Sequence, residues 1–156
     1  MRPARLLVGM LLLLVAVAAC GDRDPEELAA ATPAAGLAPV DELVATLADE
    51  VTDLENGRIK WETNWELCWA AYPGAQAYEL ETVTSEGTSP ELRRQAERCR
   101  SVQVAAGENE KSLGLLQRDA TIDLTAGQLG YRVRAVVDGN VATPWSPLFY
   151  VGQPTP

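Results

Sequence analysis

Three thiols, at Cys20, Cys68 and Cys99, are the most reactive side chains in this chain. A redox or nucleophilic pair usually stands close together as C-x-x-C in low-pKa surroundings; these three are widely separated. Histidine is absent, which removes Ser-His-Asp and Cys-His catalysis and His-ligated zinc together. Asp119, Asp123 and Asp138 offer carboxylates for calcium or acid–base work, but they lack EF-hand or glycosidase spacing. Asp138-Gly139-Asn140 is accounted for as a turn. No phosphate loop, dinucleotide fingerprint or nucleophile elbow is present. The expectation is a non-enzyme without catalytic, cofactor or metal-binding residues.

What remains is recognition chemistry. Trp61, Trp65 and Trp69 are spaced as a set that would suit sugar stacking or core packing. Alternation puts Trp61 and Trp69 inward; Trp65, read near the first turn of the domain, is the freest. Arg132 and Arg134 share one strand face and can stack on Trp145, each guanidinium over the indole contributing about 0.5–2 kcal/mol. Together with Trp65 they make a candidate recognition patch, with a stabilised sheet face as the competing reading.

Charge narrows the partners. The 156-residue chain carries a net charge of −9. Between Cys20 and Gly57 ten acidic residues stand against Arg23 alone, whereas from Arg58 onward twelve acids face ten basic residues. The near-neutral C-terminal part lacks the basic footprint that nucleic acid requires.

The N-terminus has the parts of a secretory signal: Arg2 and Arg5, then an apolar run over Leu6 to Ala19. As a helix that run spans about 21 Å, short of the roughly 30 Å hydrocarbon core. Val17-Ala18-Ala19-Cys20 resembles the lipobox of bacterial lipoproteins. The resemblance covers residues 1–20 and implies cleavage before Cys20, acylation of its sulfur, and anchorage to the outer side of a membrane. Two or more acyl chains hold a protein stably where one does not. With Cys20 assigned to lipid, Cys68 and Cys99 become an even pair in an oxidising compartment, and a disulfide is expected. On the chain-entropy model it would contribute about 3.5 kcal/mol.

Residues 20–39 are rich in Ala, Pro, Asp and Glu without period and read as a disordered acidic tether. Val40, Leu43, Val44, Leu47, Val51 and Leu54 then recur at three- and four-residue steps between Pro39 and Gly57. That spacing predicts an amphipathic helix over 40–56, packed on its own domain or on a partner.

From Arg58 the period becomes two. Strands are expected around Ile59 to Trp61, Leu67 to Ala71, Ala77 to Val83, Tyr131 to Val137 and Trp145 to Val151, with turns near Trp65 and at Pro73-Gly74 and Asp138-Gly139-Asn140. Between about 84 and 120 the pattern predicts an insertion: a helix over Leu92 to Cys99, capped by Ser89-Pro90-Glu91, and strands over Ser101 to Ala105 and Ser112 to Leu116.

The fragments Leu67-Cys68-Trp69, Pro73-Gly74-Ala75 with Tyr78, Leu124 with Tyr131-Arg132-Val133-Arg134-Ala135-Val136, and Pro144-Trp145-Ser146-Pro147 resemble a fibronectin type III domain over residues 58–151. The resemblance implies a mainly β, immunoglobulin-like sandwich with Trp69 and Tyr78 in its core. It also implies a tyrosine corner formed by Leu124 and Tyr131, and Trp145-Ser146 opening the last strand. Leu124 precedes Tyr131 by one residue more than the family usually has. The expected function is a lipid-anchored envelope module that binds a protein or glycan, with a self-associating structural envelope protein as the alternative.

Overall fold

The computed structural model describes residues 30–89 and 91–153. Cys20, the signal-like segment, the first half of the tether and Pro90 lie outside the described residues. The elements run β1 (Thr32–Pro33), β2 (Val44–Asp53), β3 (Arg58–Cys68), β4 (Ala77–Thr84), β5 (Gly87–Thr88), β6 (Arg93–Gln95), β7 (Cys99–Glu110), α1 (Arg118–Thr125), β8 (Gly130–Asp138), β9 (Val141–Ala142) and β10 (Phe149–Tyr150). They form two sheets. One is ordered β2-β3-β7; the other is ordered β1-β9-β8-β4-β5, with β6 also on β4 and β10 also on β8.

The period of two reports directly on the layers. Leu67 and Trp69, from β3 and its end, meet Tyr78 and Leu80 of β4 and Tyr131, Val133 and Ala135 of β8 in one buried core. Trp69 and Tyr78 pack edge to face at 5.6 Å, and the Tyr78 hydroxyl accepts the Tyr72 backbone N–H at 2.9 Å. Cys68 and Cys99 are register partners on β3 and β7 and are joined by the expected disulfide. The turns at Pro73-Gly74 and Gly139 form where expected, each glycine taking a positive φ.

The stretch 40–56 is not a helix. Val44–Asp53 is a strand, paired antiparallel with β3 without a break from Val44↔Cys68 to Asp53↔Ile59. The three- and four-residue spacing is real, but β3 is a long strand whose second edge would otherwise expose a row of backbone donors and acceptors. Only Val40 and Leu43 of the predicted apolar stripe reach the main core. The ordered structure also begins earlier than expected: within the tether, Thr32–Pro33 pairs parallel with β9 and Ala31 is buried against Val136 and Ala142.

Other corrections fall in the expected insertion. Leu92 to Cys99 is the short strand β6 followed by a bend, not a helix. Ser101 to Ala105 is a strand as expected, but it belongs to β7, a main strand of the three-stranded sheet rather than an inserted one. Ser112 to Leu116 is a short 3-10 turn and loop rather than a strand. The helix α1 was not anticipated; its Leu124 is 74% exposed, so it cannot pack beneath Tyr131 as a corner residue. Pro144 and Pro147 interrupt the last expected strand, Trp145 to Val151, so that only β10 forms within it, with the short β9 ahead of it. Side chains mend the gap. Thr143 and Ser146 donate their N–H groups to the carbonyls of Ala135 and Val133. Their hydroxyls, in turn, accept the N–H groups of Ala135 and Val133 at 3.0 Å each.

A second buried cluster holds the far half of the three-stranded sheet. Ile59, Trp61 and Ala105 pack there with Val104 and Leu115. The Trp61 indole N–H donates to Asn109 Oδ1 at 2.8 Å. Gly107, the register partner of Trp61, lies under the indole ring, and a Cβ there would stand 2.6 Å from it. Gly107→Ala should therefore destabilise the protein by about 1–3 kcal/mol through overpacking. Urea unfolding should show a lower midpoint at unchanged slope; an unchanged midpoint would mean the ring moves aside without cost.

Candidate functional site

Of the expected recognition residues, Arg134 bonds a buried carboxylate, Glu79, and Arg132 and Trp145 gather beside that arginine. Glu79 sits in β4, directly opposite Arg94 of β6 on one side and Arg134 of β8 on the other. Both arginines bond it: Arg94 through Nε at 3.0 Å and through Nη2, and Arg134 through Nε at 2.7 Å and Nη2 at 2.6 Å. The backbone N–H of Ala31 donates to the same carboxylate at 3.3 Å. Glu79 is fully buried, although alternation places it on the face away from the main core. Cover comes from the chain just before β1, where Ala31 packs on Val136, Ala142 and Ala77.

One step along the strands, Glu81 pairs with Arg132. Trp145 completes the set. The Arg134 guanidinium lies 4.3 Å and that of Arg132 5.1 Å from the centre of its indole ring. The sequence-predicted trio of Arg132, Arg134 and Trp145 is thus brought together. Its members differ in access, because the Arg134 side chain is 4% exposed and that of Arg132 is 34% exposed. Arg134 is fully engaged by Glu79 and Trp145, so only Arg132 and the half-buried Trp145 present polar and aromatic surface. Trp65 does not join them. It lies within β3, opposite Leu47, and packs against the main core rather than beside a turn.

Two further features were not anticipated. A cleft of about 520 Å³ at one end of the molecule is lined by Thr84, Glu86, Gln128, Leu129, Tyr150 and Gln153, among others. The buried Trp69 indole N–H finds no acceptor among the described residues. Neither had a sequence signal, since the cleft is assembled from three separate loops and an orphan donor depends on its surroundings. Among the described residues no cluster of three or more metal-ligating side chains occurs, and no helix is long and apolar enough to cross a membrane.

Electrostatics make Glu79 the keystone of the set. Burial pushes its pKa up, but hydrogen bonds from Arg94 and Arg134, the Arg134 charge and the Ala31 N–H outweigh that, leaving it below the ordinary glutamate value. Burial raises the Tyr131 phenol, with Arg93 acting in the opposite direction. A depressed carboxylate pKa contributes stability at neutral pH that is lost as pH falls through the folded-state pKa. Glu79→Gln would remove the buried negative charge that Arg94 and Arg134 both bond and should cost about 3–5 kcal/mol at pH 7. The difference from the parent protein should shrink as pH falls below the ordinary glutamate value of about 4.3, where the unfolded parent chain takes up a proton that the folded carboxylate resists. Equal gaps at pH 7 and pH 3 in thermal or urea unfolding would contradict this account.

The chain matches no family model, no curated protein and no solved structure.

Proposed function

We propose that this chain is a lipid-anchored binding or accessory module of a bacterial envelope, one fibronectin type III-like sandwich displayed on an acidic stalk. It recruits an envelope protein or glycan and catalyses nothing. The observation that carries this reading is the junction between stalk and domain. A chain arriving from Cys20 is gripped at Ala31 by the Glu79 carboxylate and at Thr32–Pro33 by β9. Such a grip fixes the orientation in which the domain is presented, which a freely hinged tether would not do.

The sandwich reading is supported by how the strands divide between layers: β2, β3 and β7 in one, and β4, β6, β8, β9 and β10 in the other. Trp69 and Tyr78, the residues the resemblance puts in the core, are buried together with Leu67 and Tyr131. Ser146, of the Trp-Ser pair, is buried and bonded to β8. The exposed Leu124 is a departure from the family pattern. A structural role through a self-associating helix at 40–56 loses its basis, because that segment is β2.

Location tests the anchor. Cys20→Ser should move the protein from the membrane to the soluble fraction while its unfolding temperature stays unchanged. Mass spectrometry of the parent should find acyl chains on Cys20. An unmodified cysteine, or membrane retention of the variant, would remove the anchor from this reading.

A further inference from the structure

We infer that β2 is a docking edge that accepts an extended, basic segment of a protein partner as an added strand. This names the partner chemistry of the binding module proposed above and rests on that reading. Within the described residues β2 pairs only with β3, so its other edge is open along ten residues. Natural edges of this length are usually blunted by lysine, proline or a bulge. None is present here: the register with β3 has no shift, and no lysine, arginine or proline occurs between Val40 and Gly57.

The register shows what the edge offers. Leu54 N–H bonds to the Arg58 carbonyl, so Leu54 and Arg58 form a hydrogen-bonded pair. Alternation back along the ladder directs the N–H and C=O of Ala45, Leu47, Asp49, Val51 and Asp53 outward, to the open edge. The same residues share the face of their partners, the buried Leu67, Thr63, Trp61 and Ile59 and the half-buried Trp65. Yet Leu47 is 38% and Val51 53% exposed. An incoming strand would extend this face with apolar side chains beside Leu47 and Val51.

Charge selects the occupant. Six acids, Asp41, Glu42, Asp49, Glu50, Asp53 and Glu55, lie along or beside the edge. Asp49 is satisfied by Arg118 and Asp53 by Lys111. Asp41, Glu42, Glu50 and Glu55 form no ion pair among the described residues, and Glu50 lies on the opposite face from Leu47 and Val51. A second copy of β2 would set these acids against their like. A strand alternating apolar and basic residues instead meets both faces, the main-chain bonds supplying affinity and the alternation supplying selectivity.

The test uses the full-length chain in detergent and two blocked ten-residue peptides, one alternating valine with lysine and the other valine with glutamate. The lysine peptide should bind and slow amide exchange at Ala45, Leu47, Asp49, Val51 and Asp53; the glutamate peptide should not. Val51→Pro removes an outward donor without removing a bond to β3, and should weaken the lysine peptide roughly tenfold. Glu50→Lys, which tests charge without touching the backbone, should lower affinity for the lysine peptide and raise it for the glutamate peptide. Binding insensitive to both substitutions, absence of binding, protection elsewhere, or self-association through β2 would overturn the inference. Because peptide binding does not depend on the anchor, failure here leaves the Cys20 result intact, and failure of the Cys20 test leaves this edge intact.

Discussion

A carboxylate held between two guanidinium groups is the constraint around which the outer face of this molecule is arranged. Glu79 is fully buried and would be costly alone. Arg94 and Arg134 flank it in register on both neighbouring strands. Those pairings fix the register of β4 against β6 and β8, since a one-residue slip would send the carboxylate to the opposite face and separate it from both partners. Trp145 then covers Arg134, and Ala31 caps the carboxylate. The ionic network, the proline-interrupted stretch after β9 and the chain leading into β1 are therefore one packed unit.

The three-stranded layer is stabilised differently. Its inner face is apolar near the main core and is continued by Trp61 over Gly107 at the far half. The cross-strand disulfide closes one end. At the other, Lys111 binds Asp53, and Arg118 binds Asp49, which also accepts a bond from Thr63. The segment between β7 and β8 thus ties down β2 through charge, while the outer edge of β2 is left open. One layer is organised by a buried ion network and the other by aromatic packing, and the segment from Ala31 to Pro33 joins the first whereas the open edge belongs to the second.

Some of this was legible in the residues. Strict alternation around Tyr78 and from Tyr131 to Val137 gave β4 and β8, because one buried face imposes a period of two. Cysteine parity, once Cys20 was set aside, gave the disulfide. The stacking of Arg132 and Arg134 on Trp145 followed from strand neighbours. Glu79 was not legible, because a glutamate in an alternating strand reads as solvent-facing until its cross-strand partners are known.

The division between sequence and tertiary structure is sharpest at residues 40–56. Local spacing there fits a helix, and nothing within the segment argues against one. What decides is β3, distant from its other partner β7 in sequence but adjacent in space, whose open ladder takes β2 as its partner. Likewise the apolar run ending at Cys20, the split of charge and the strand periods are properties of the chain itself. The burial of Glu79, the exclusion of Trp65 from the arginine patch and the open edge of β2 depend on which strands become neighbours. Side-chain alternation is local and can be read along the chain; strand pairing is a non-local choice, made only when the two layers close on a shared core.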